Sequence, residues 1–276
     1  MIDITLLGTS SMLPLPDRAL TSAFLSCGGH SILFDCGEGT QTAARKAGVS
    51  LMKTDMIAFT QYHGDHIFGL PGLLQTMHSM GRTESLYITG PEGLSAALRP
   101  LLTLAGALAF EIIPVSVPDT GMELDVFIKG FRHGAKLSVF KTEHRVASNG
   151  YVFTLSRPGK FLPDKAKALR VPETEFKTLQ NGQSVTVDGN TVMPNQVLGA
   201  PRKGLKFVFS GDTSYCESLI EAARDADLAV FDATYAENDQ LSVAEEHGHM
   251  NFAQAAEAAA KAGVKRLWLS HYSQMI

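Results

Sequence analysis

Cysteine is scarce in this chain: Cys27, Cys36 and Cys216 are odd in number, scattered, and without a C-x-x-C spacing. That pattern argues against a disulfide framework and a zinc knuckle, and it makes a reducing cytoplasm the expected setting. Long apolar runs are missing too. No stretch reaches the roughly 20 residues that would span a bilayer. The start, Met1-Ile2-Asp3-Ile4-Thr5-Leu6-Leu7-Gly8, has neither a basic n-region nor the apolar length of a signal peptide. Excess positive charge is absent as well. The 24 Lys and Arg face 28 Asp and Glu, a formal net charge of −4, so any contact with nucleic acid must be local. There is no short-period repeat and no low-complexity tract.

What is present suits one large domain covering 1–276. The 276 residues are 45% hydrophobic and 19% charged, the balance of an ordinary globular protein. Apolar segments bounded by glycine, proline or polar residues predict strands over 2–7, 23–25, 31–35, 56–59 and 86–89, with helices over 40–47, 70–80 and 92–104. A second series predicts strands over 111–115, 124–128, 137–143, 151–155, 184–187 and 206–210. A helix over 217–224, a strand over 228–232, the alanine-rich helix 251–262 and a strand over 266–270 complete it. Two strand-rich halves, each with helices, predict an α/β protein with a sheet-on-sheet core flanked by helices.

One segment breaks the rhythm. Over 157–182, Arg157, Lys160, Lys165, Lys167, Arg170 and Lys177 stand against Asp164, Glu173 and Glu175, among three prolines. It reads either as a solvated surface helix or as a phosphate-contacting arm, with Arg202 and Lys203 as nearby basic candidates.

The chemistry concentrates in Thr60-Gln61-Tyr62-His63-Gly64-Asp65-His66. A strand-like Met56–Phe59 precedes it and a helix start follows, so the run sits on a strand-to-helix loop. There imidazole and carboxylate groups can converge on zinc or a similar divalent ion. Further candidates recur at strand ends: His144 after 137–142, Asp212 in Ser210-Gly211-Asp212-Thr213, and His271 after 267–270. His249 lies just before the alanine-rich helix. Taken singly each has a plain reading as a hydrogen-bonded histidine or a Gly-Asp turn; recurrence at successive strand ends is what points to a shared site. His30, His78, His133 and His247 are read as surface residues, His247 being nearest the candidates in sequence.

These motifs, with Leu7-Gly8-Thr9, Asp35-Cys36-Gly37-Glu38-Gly39-Thr40-Gln41, Gly69-Leu70-Pro71-Gly72, Ala233-Thr234 and Leu269-Ser270-His271-Tyr272-Ser273, run along nearly the whole chain. They resemble the metallo-β-lactamase fold superfamily and, within it, the ribonuclease Z family, endonucleases that remove the 3′ trailer of precursor tRNA. The resemblance implies a four-layer αββα sandwich. It also implies zinc, as one or two ions with manganese as an alternative, and a metal-bound hydroxide that attacks phosphorus in line. One implied ion site comprises Asp65, His66, Asp212 and His271; its partner comprises His63, His144, the shared Asp212 and position 61. Asp65 would accept the proton of the nucleophile. His249 would act as general acid, oriented by Asp232. Precursor tRNA is the implied substrate, gripped by Lys160, Lys165, Lys167, Arg170, Arg202 and Lys203, and a homodimer is the implied assembly.

The chain departs from the family at several points. Gln61 stands where the family has histidine, a weak or lost ligand that predicts a single or half-filled centre and reduced activity. The family's His-Glu-Ala-Thr is Phe231-Asp232-Ala233-Thr234, and Met250-Asn251 follows His249 in place of Ser-Thr. The insertion tip is Pro172-Glu173-Thr174-Glu175-Phe176, and Met275 stands where relatives carry arginine, so either the edge of the fold is pared down or the final elements are missing. Two other readings stay open on these grounds: a hydrolase of a small phosphodiester or ester on the same fold, and a protein whose metal centre has decayed.

Overall fold

The computed structural model describes residues 2–276. Its first sheet is built from β1 (Ile2–Ser10), β2 (Ala19–Leu20), β3 (Ser22–Cys27), β4 (His30–Phe34), β5 (Met56–Ala58), β6 (Leu86–Thr89) and β7 (Ile112–Pro114). Their order is β2-β1-β3-β4-β5-β6-β7. The run β4 to β7 is parallel, so its connections cross over through helices. These are α1 (Thr40–Lys46), the single turn α2 (Gly64–Ile67), α3 (Leu70–Ser79) and α4 (Leu94–Ala105).

After β8 (Met122–Glu123) and the short helix α5 (Leu124–Phe127) come β9 (Ala135–Lys141) and β10 (Asn149–Arg157). Then follow α6 (Pro163–Ala168), α7 (Phe176–Gln180), the hairpin β11 (Val185–Val187) and β12 (Asn190–Val192), and α8 (Pro194–Val197). The chain continues through β13 (Arg202–Phe209), α9 (Glu217–Ala223), β14 (Leu228–Asp232), α10 (Leu241–His247), α11 (Phe252–Ala262) and β15 (Leu267–Ser270). The second sheet has the order β15-β14-β13-β10-β9-β8, with β13, β14 and β15 parallel.

The two sheets meet through aromatic rings: Phe34 of β4 lies 5.5–5.8 Å from the rings of Tyr151, Phe207 and Phe209. Such tilted contacts add about 0.5–1.5 kcal/mol each beyond the burial itself. Outside the first sheet, Leu33 and Ile57 pack with Leu70, Leu74 and Met77 of α3 and Leu98 and Leu101 of α4. Outside the second, Val208 and Phe231 pack with Leu219 and Ile220 of α9 and the alanine face of α11. Alanine there lets a helix lie close to the sheet. Asn251 starts α11 by accepting from the Gln254 amide at 2.9 Å, a cap worth about 1 kcal/mol. The result is helices, sheet, sheet, helices: the αββα sandwich.

The chain forms two compact units: Met1–Met122 with Leu137–Phe153 and Lys206–Ile276, and Glu123–Lys136 with Thr154–Leu205. The second has its own apolar core of Ala166, Val171, Leu179, Val185, Val192 and Val197. The basic 157–182 segment is therefore not one surface helix; it is broken into short helices by Pro163 and Pro172 and folds around buried side chains. A second correction concerns 124–128, expected as a strand. It forms α5, because Leu124 and Ile128 are buried four residues apart while Val126 is 75% exposed, a helical spacing and not an alternating one.

Candidate metal centre

The expected ligands sit at the carboxyl end of a strand or on the loop that follows, while His249 lies between α10 and α11. Asp35 follows β4; Gln61, His63, Asp65 and His66 follow β5; Asp212, Asp232 and His271 follow or end β13, β14 and β15; His144 lies between β9 and β10. Asp35 and His271 adopt left-handed backbone angles, φ 56° and 64°. For residues with a Cβ this conformation costs of order 1 kcal/mol or more, and it turns each side chain out of strand alternation toward the centre.

Four ligand atoms form a cage. His66 Nε2 lies 3.1 Å from Asp212 Oδ2 and 3.7 Å from Asp65 Oδ2; His271 Nε2 lies 3.2 Å from Asp65 Oδ2 and 3.3 Å from Asp212 Oδ2. Ligands about 2.0–2.2 Å from a tetrahedral zinc stand roughly 3.3–3.6 Å apart, and these four contacts are of that order. The charge also fits. Asp35, Asp65, Asp212 and Asp232 are buried or nearly so, and among the described residues their ion-pair partners are all imidazoles. Buried carboxylates without a lysine or arginine call for a cation. Finally, Asp212 Oδ1, His144 Nε2 and Gln61 Oε1 are buried polar atoms without a hydrogen-bond partner.

A second layer fixes the imidazoles. Asp35, itself taking 2.7 Å hydrogen bonds from the Thr60 amide and hydroxyl, accepts from His66 Nδ1 at 2.9 Å. Thr234 Oγ1 accepts from His271 Nδ1 at 2.8 Å and donates to Asp232 Oδ1 at 2.7 Å. The Gly248 carbonyl accepts from His144 Nδ1 at 2.9 Å. Gly248, at φ 76°, must be glycine here: a Cβ would lie 2.8 Å from His144 Nδ1. With every Nδ1 proton committed, the Nε2 lone pairs of His66, His271 and His144 are left to face a ligand. Asp232 Oδ2 accepts from His249 Nδ1 at 2.7 Å.

The electrostatics follow from burial among carboxylates. Burial alone would lower His66, but Asp212 and Asp35 on either side hold it well above its ordinary value. Burial would raise Asp212, yet His271 and His66 keep it well below the usual carboxylate range. Asp65 is likewise held low against its burial, chiefly by His271 and His66. His249, pulled down by burial, is lifted by the charge and hydrogen bond of Asp232 and by Asp212, and rises to about 9. His63 and His144, less closely faced by carboxylates, are lowered by burial.

The cage opens into a cleft of about 390 Å³ whose lining includes His63, His144 and His249 with Met12, Phe68 and Arg145. The rings of His63 and His144 are 5.5 Å apart. Among the described residues, the two tight groups of candidate ligand atoms are Asp65, His66 and His271, and Asp212, Asp232, His249 and His271; His63 and His144 belong to neither. Gln61 is buried; its Nε2 donates to Asp212 Oδ2 at 2.5 Å and lies 3.0 Å from His66 Nε2. Lys160, Lys165, Lys167, Arg170, Arg202 and Lys203 are exposed residues of the second unit; Lys167 pairs with Glu173 at 3.2 Å and Arg202 donates to the Pro158 carbonyl. The remaining histidines are engaged elsewhere: His30 with Asp55, His78 with the Ala109 amide, His133 with Asp125, and His247 with Tyr235. Sequence reasoning passed over Thr60, Thr213 and Arg145. Thr60 directly precedes the metal-binding run, but nothing local shows that its hydroxyl reaches Asp35, 25 residues away.

Residues 154–272 match the family model described as beta-lactamase superfamily domain, and residues 2–155 match the one described as anti-Pycsar protein Apyc1. A ribonuclease Z of Agathobacter rectalis is 40% identical over 275 residues, 99% of this chain and 88% of that protein. The ribonuclease Z of Clostridioides difficile is 37% identical over 273 residues, again 99% and 88%. Among solved structures, the short form of human tRNase Z superposes with a TM-score of 0.70 at 26% identity, covering 100% of this chain and 94% of that one. The metallo-beta-lactamase fold protein YhfI of Bacillus subtilis superposes at 0.67 with 21% identity, covering 99% and 87%, which speaks to the fold alone.

Proposed function

The chain belongs to the ribonuclease Z family of the beta-lactamase superfamily, and from that premise we propose that it is a metal-dependent endoribonuclease that removes the 3′ trailer of precursor tRNA. The observation that carries this reading is the cage of Asp65, His66, Asp212 and His271 with His249 beside it: the His249 and His271 rings stack at 5.0 Å.

In this reading the cage holds a divalent ion, and its two imidazoles and two carboxylates favour zinc, with manganese the second ion to test. A bound ion supplies a water activated toward phosphorus and neutralises charge on the phosphoryl oxygens. The protein's own groups do the rest. Asp65 lines the cleft and accepts the proton of the attacking water. Asp232 takes the Nδ1 proton of His249, so the Nε2 proton is the one that imidazolium gives to the departing oxygen as the phosphorus–oxygen bond breaks. His63 and His144 line the same cleft, where they face the phosphate group. Arg145 brings the lining a fixed positive charge for the adjoining phosphates, and Met12 and Phe68, exposed in that lining, give unstacked bases an apolar surface. The basic side chains of the second unit bind the tRNA body through its phosphates.

The test is a precursor tRNA with a labelled trailer, incubated with protein supplied with zinc or manganese. Cleavage just after the discriminator base is the expected outcome. Intact substrate in the presence of either ion rejects the proposal.

A further inference from the structure

Gln61 differs from a poor metal ligand in one respect: the atom it turns toward the cage is a donor. Were its amide reversed, Oε1 would lie 2.5 Å from Asp212 Oδ2, two acceptors in contact; the neighbours therefore assign the nitrogen to that place. His66 Nδ1 faces Asp35, so its Nε2 is the nitrogen that faces the cage, 3.0 Å from the Gln61 amide nitrogen. An amide nitrogen carries two protons and no lone pair for a metal.

Consider the cage with one ion in it. The single lone pair of His66 Nε2 is then used. Asp212 Oδ2, a carboxylate oxygen, has a second lone pair, and the Gln61 N–H lies along the contact that would take it. That lone pair is the one a second ion would need to share Asp212 with the first. The amide thus takes that lone pair of Asp212 Oδ2 and puts the positive end of an N–H dipole there. What remains is Asp212 Oδ1, the neutral Gln61 Oε1 and His144 Nε2, each without a hydrogen-bond partner, and His63; the two histidines lie outside the tight groups of ligand atoms.

We propose that Gln61 takes the place of a second ion: its amide donates to Asp212, holds that carboxylate in the cage, and makes this a one-ion centre. The proposal rests on the reading of the cage as the metal site. It makes Gln61 a positioning residue and not a damaged ligand.

The experiment counts ions. Protein purified without chelator, and protein stripped and then titrated with zinc against a competing chromophoric chelator, is compared with Gln61→His and Gln61→Glu by elemental analysis. Circular dichroism confirms that each variant is folded, and cobalt substitution gives an independent optical count. The unaltered chain should saturate at one ion and the two variants at two, since imidazole or carboxylate restores a donor and removes the N–H. Two ions in the unaltered chain overturn the proposal, as does none, and so does a folded pair of variants that both stay at one. Trailer cleavage is scored separately: a one-ion protein that leaves precursor tRNA intact would reject the functional reading and leave the ion count standing.

Discussion

Replacing Asp232 by asparagine isolates the proton on His249. The substitution keeps the side-chain volume, and the amide oxygen can go on accepting from the Thr234 amide and hydroxyl, now at 3.0 and 2.7 Å. The amide nitrogen then faces His249 Nδ1 and the Thr213 amide, which Oδ2 accepts at 2.7 and 3.1 Å. Both of those neighbours are donors, so the support for the imidazolium is lost. In the intact protein burial pulls His249 down, and Asp232, by charge and hydrogen bond and with Asp212 behind it, lifts it from 6.5 to about 9. At about 1.4 kcal/mol per pH unit that difference is worth about 3 kcal/mol. A cation in the neighbouring cage takes back part of it, so the alkaline limb of the rate profile falls between the two values. The sign is fixed by the role: an acid works below its pKa, and activity is lost as pH rises through it. Asp232→Asn leaves burial opposed only by Asp212, and the limb moves down. A general acid contributes about 10²–10⁴ in rate, so a loss of roughly a hundredfold is expected near pH 8, shrinking toward pH 6. Single-turnover cleavage of labelled precursor tRNA across this range, with ion content checked, measures it. A deficit that does not vary with pH, or an alkaline limb that stays in place, would refute the assignment of His249.

Thr234→Val removes the acceptor of His271 Nδ1, and zinc affinity should fall about 10–100-fold, read by competition with a chromophoric chelator; unchanged affinity would count against the role of that hydroxyl. Stripping the ion leaves the buried cage carboxylates with imidazoles as their only ion-pair partners among the described residues, so the thermal midpoint should drop by several degrees and recover on adding zinc at about 100 times its Kd, an excess worth about 2.7 kcal/mol. A midpoint indifferent to chelation contradicts a caged ion. Combined Lys165→Ala, Lys167→Ala and Arg170→Ala should weaken tRNA binding and flatten its salt dependence by up to about 2–3 in logarithmic slope, with turnover of a small phosphodiester unchanged. An unaltered slope would remove the basic segment from the RNA-binding surface.

The long elements and the strand-end candidates were legible because each rests on a local pattern. An apolar run of three to five residues followed by His144, Asp212 or His271 can be seen in a window of ten. The anchors were not, since they join distant residues: Asp35 to His66 across 31 positions, Thr234 to His271 across 37, Gly248 to His144 across 104. The sense of the Gln61 amide was beyond sequence for the same reason, being set by Asp212, 151 residues away. The helix at 124–127 was misread because a short apolar run has no period long enough to separate helix from strand. In the basic segment, the attention drawn by lysines hid the spacing of Ala166, Val171 and Leu179, which is what folds it.

The cage takes Asp65 and His66 from the loop after β5 in one sheet, and Asp212 and His271 from the ends of β13 and β15 in the other. Neither sheet holds more than half of it. A complete cage therefore needs both sheets in place: a chain whose β15 has not joined its sheet has three of the four donors. Once filled, the ion acts as a clasp across the sandwich, and hydrogen exchange in β5 and β15 should slow together on loading although the two strands lie in different sheets.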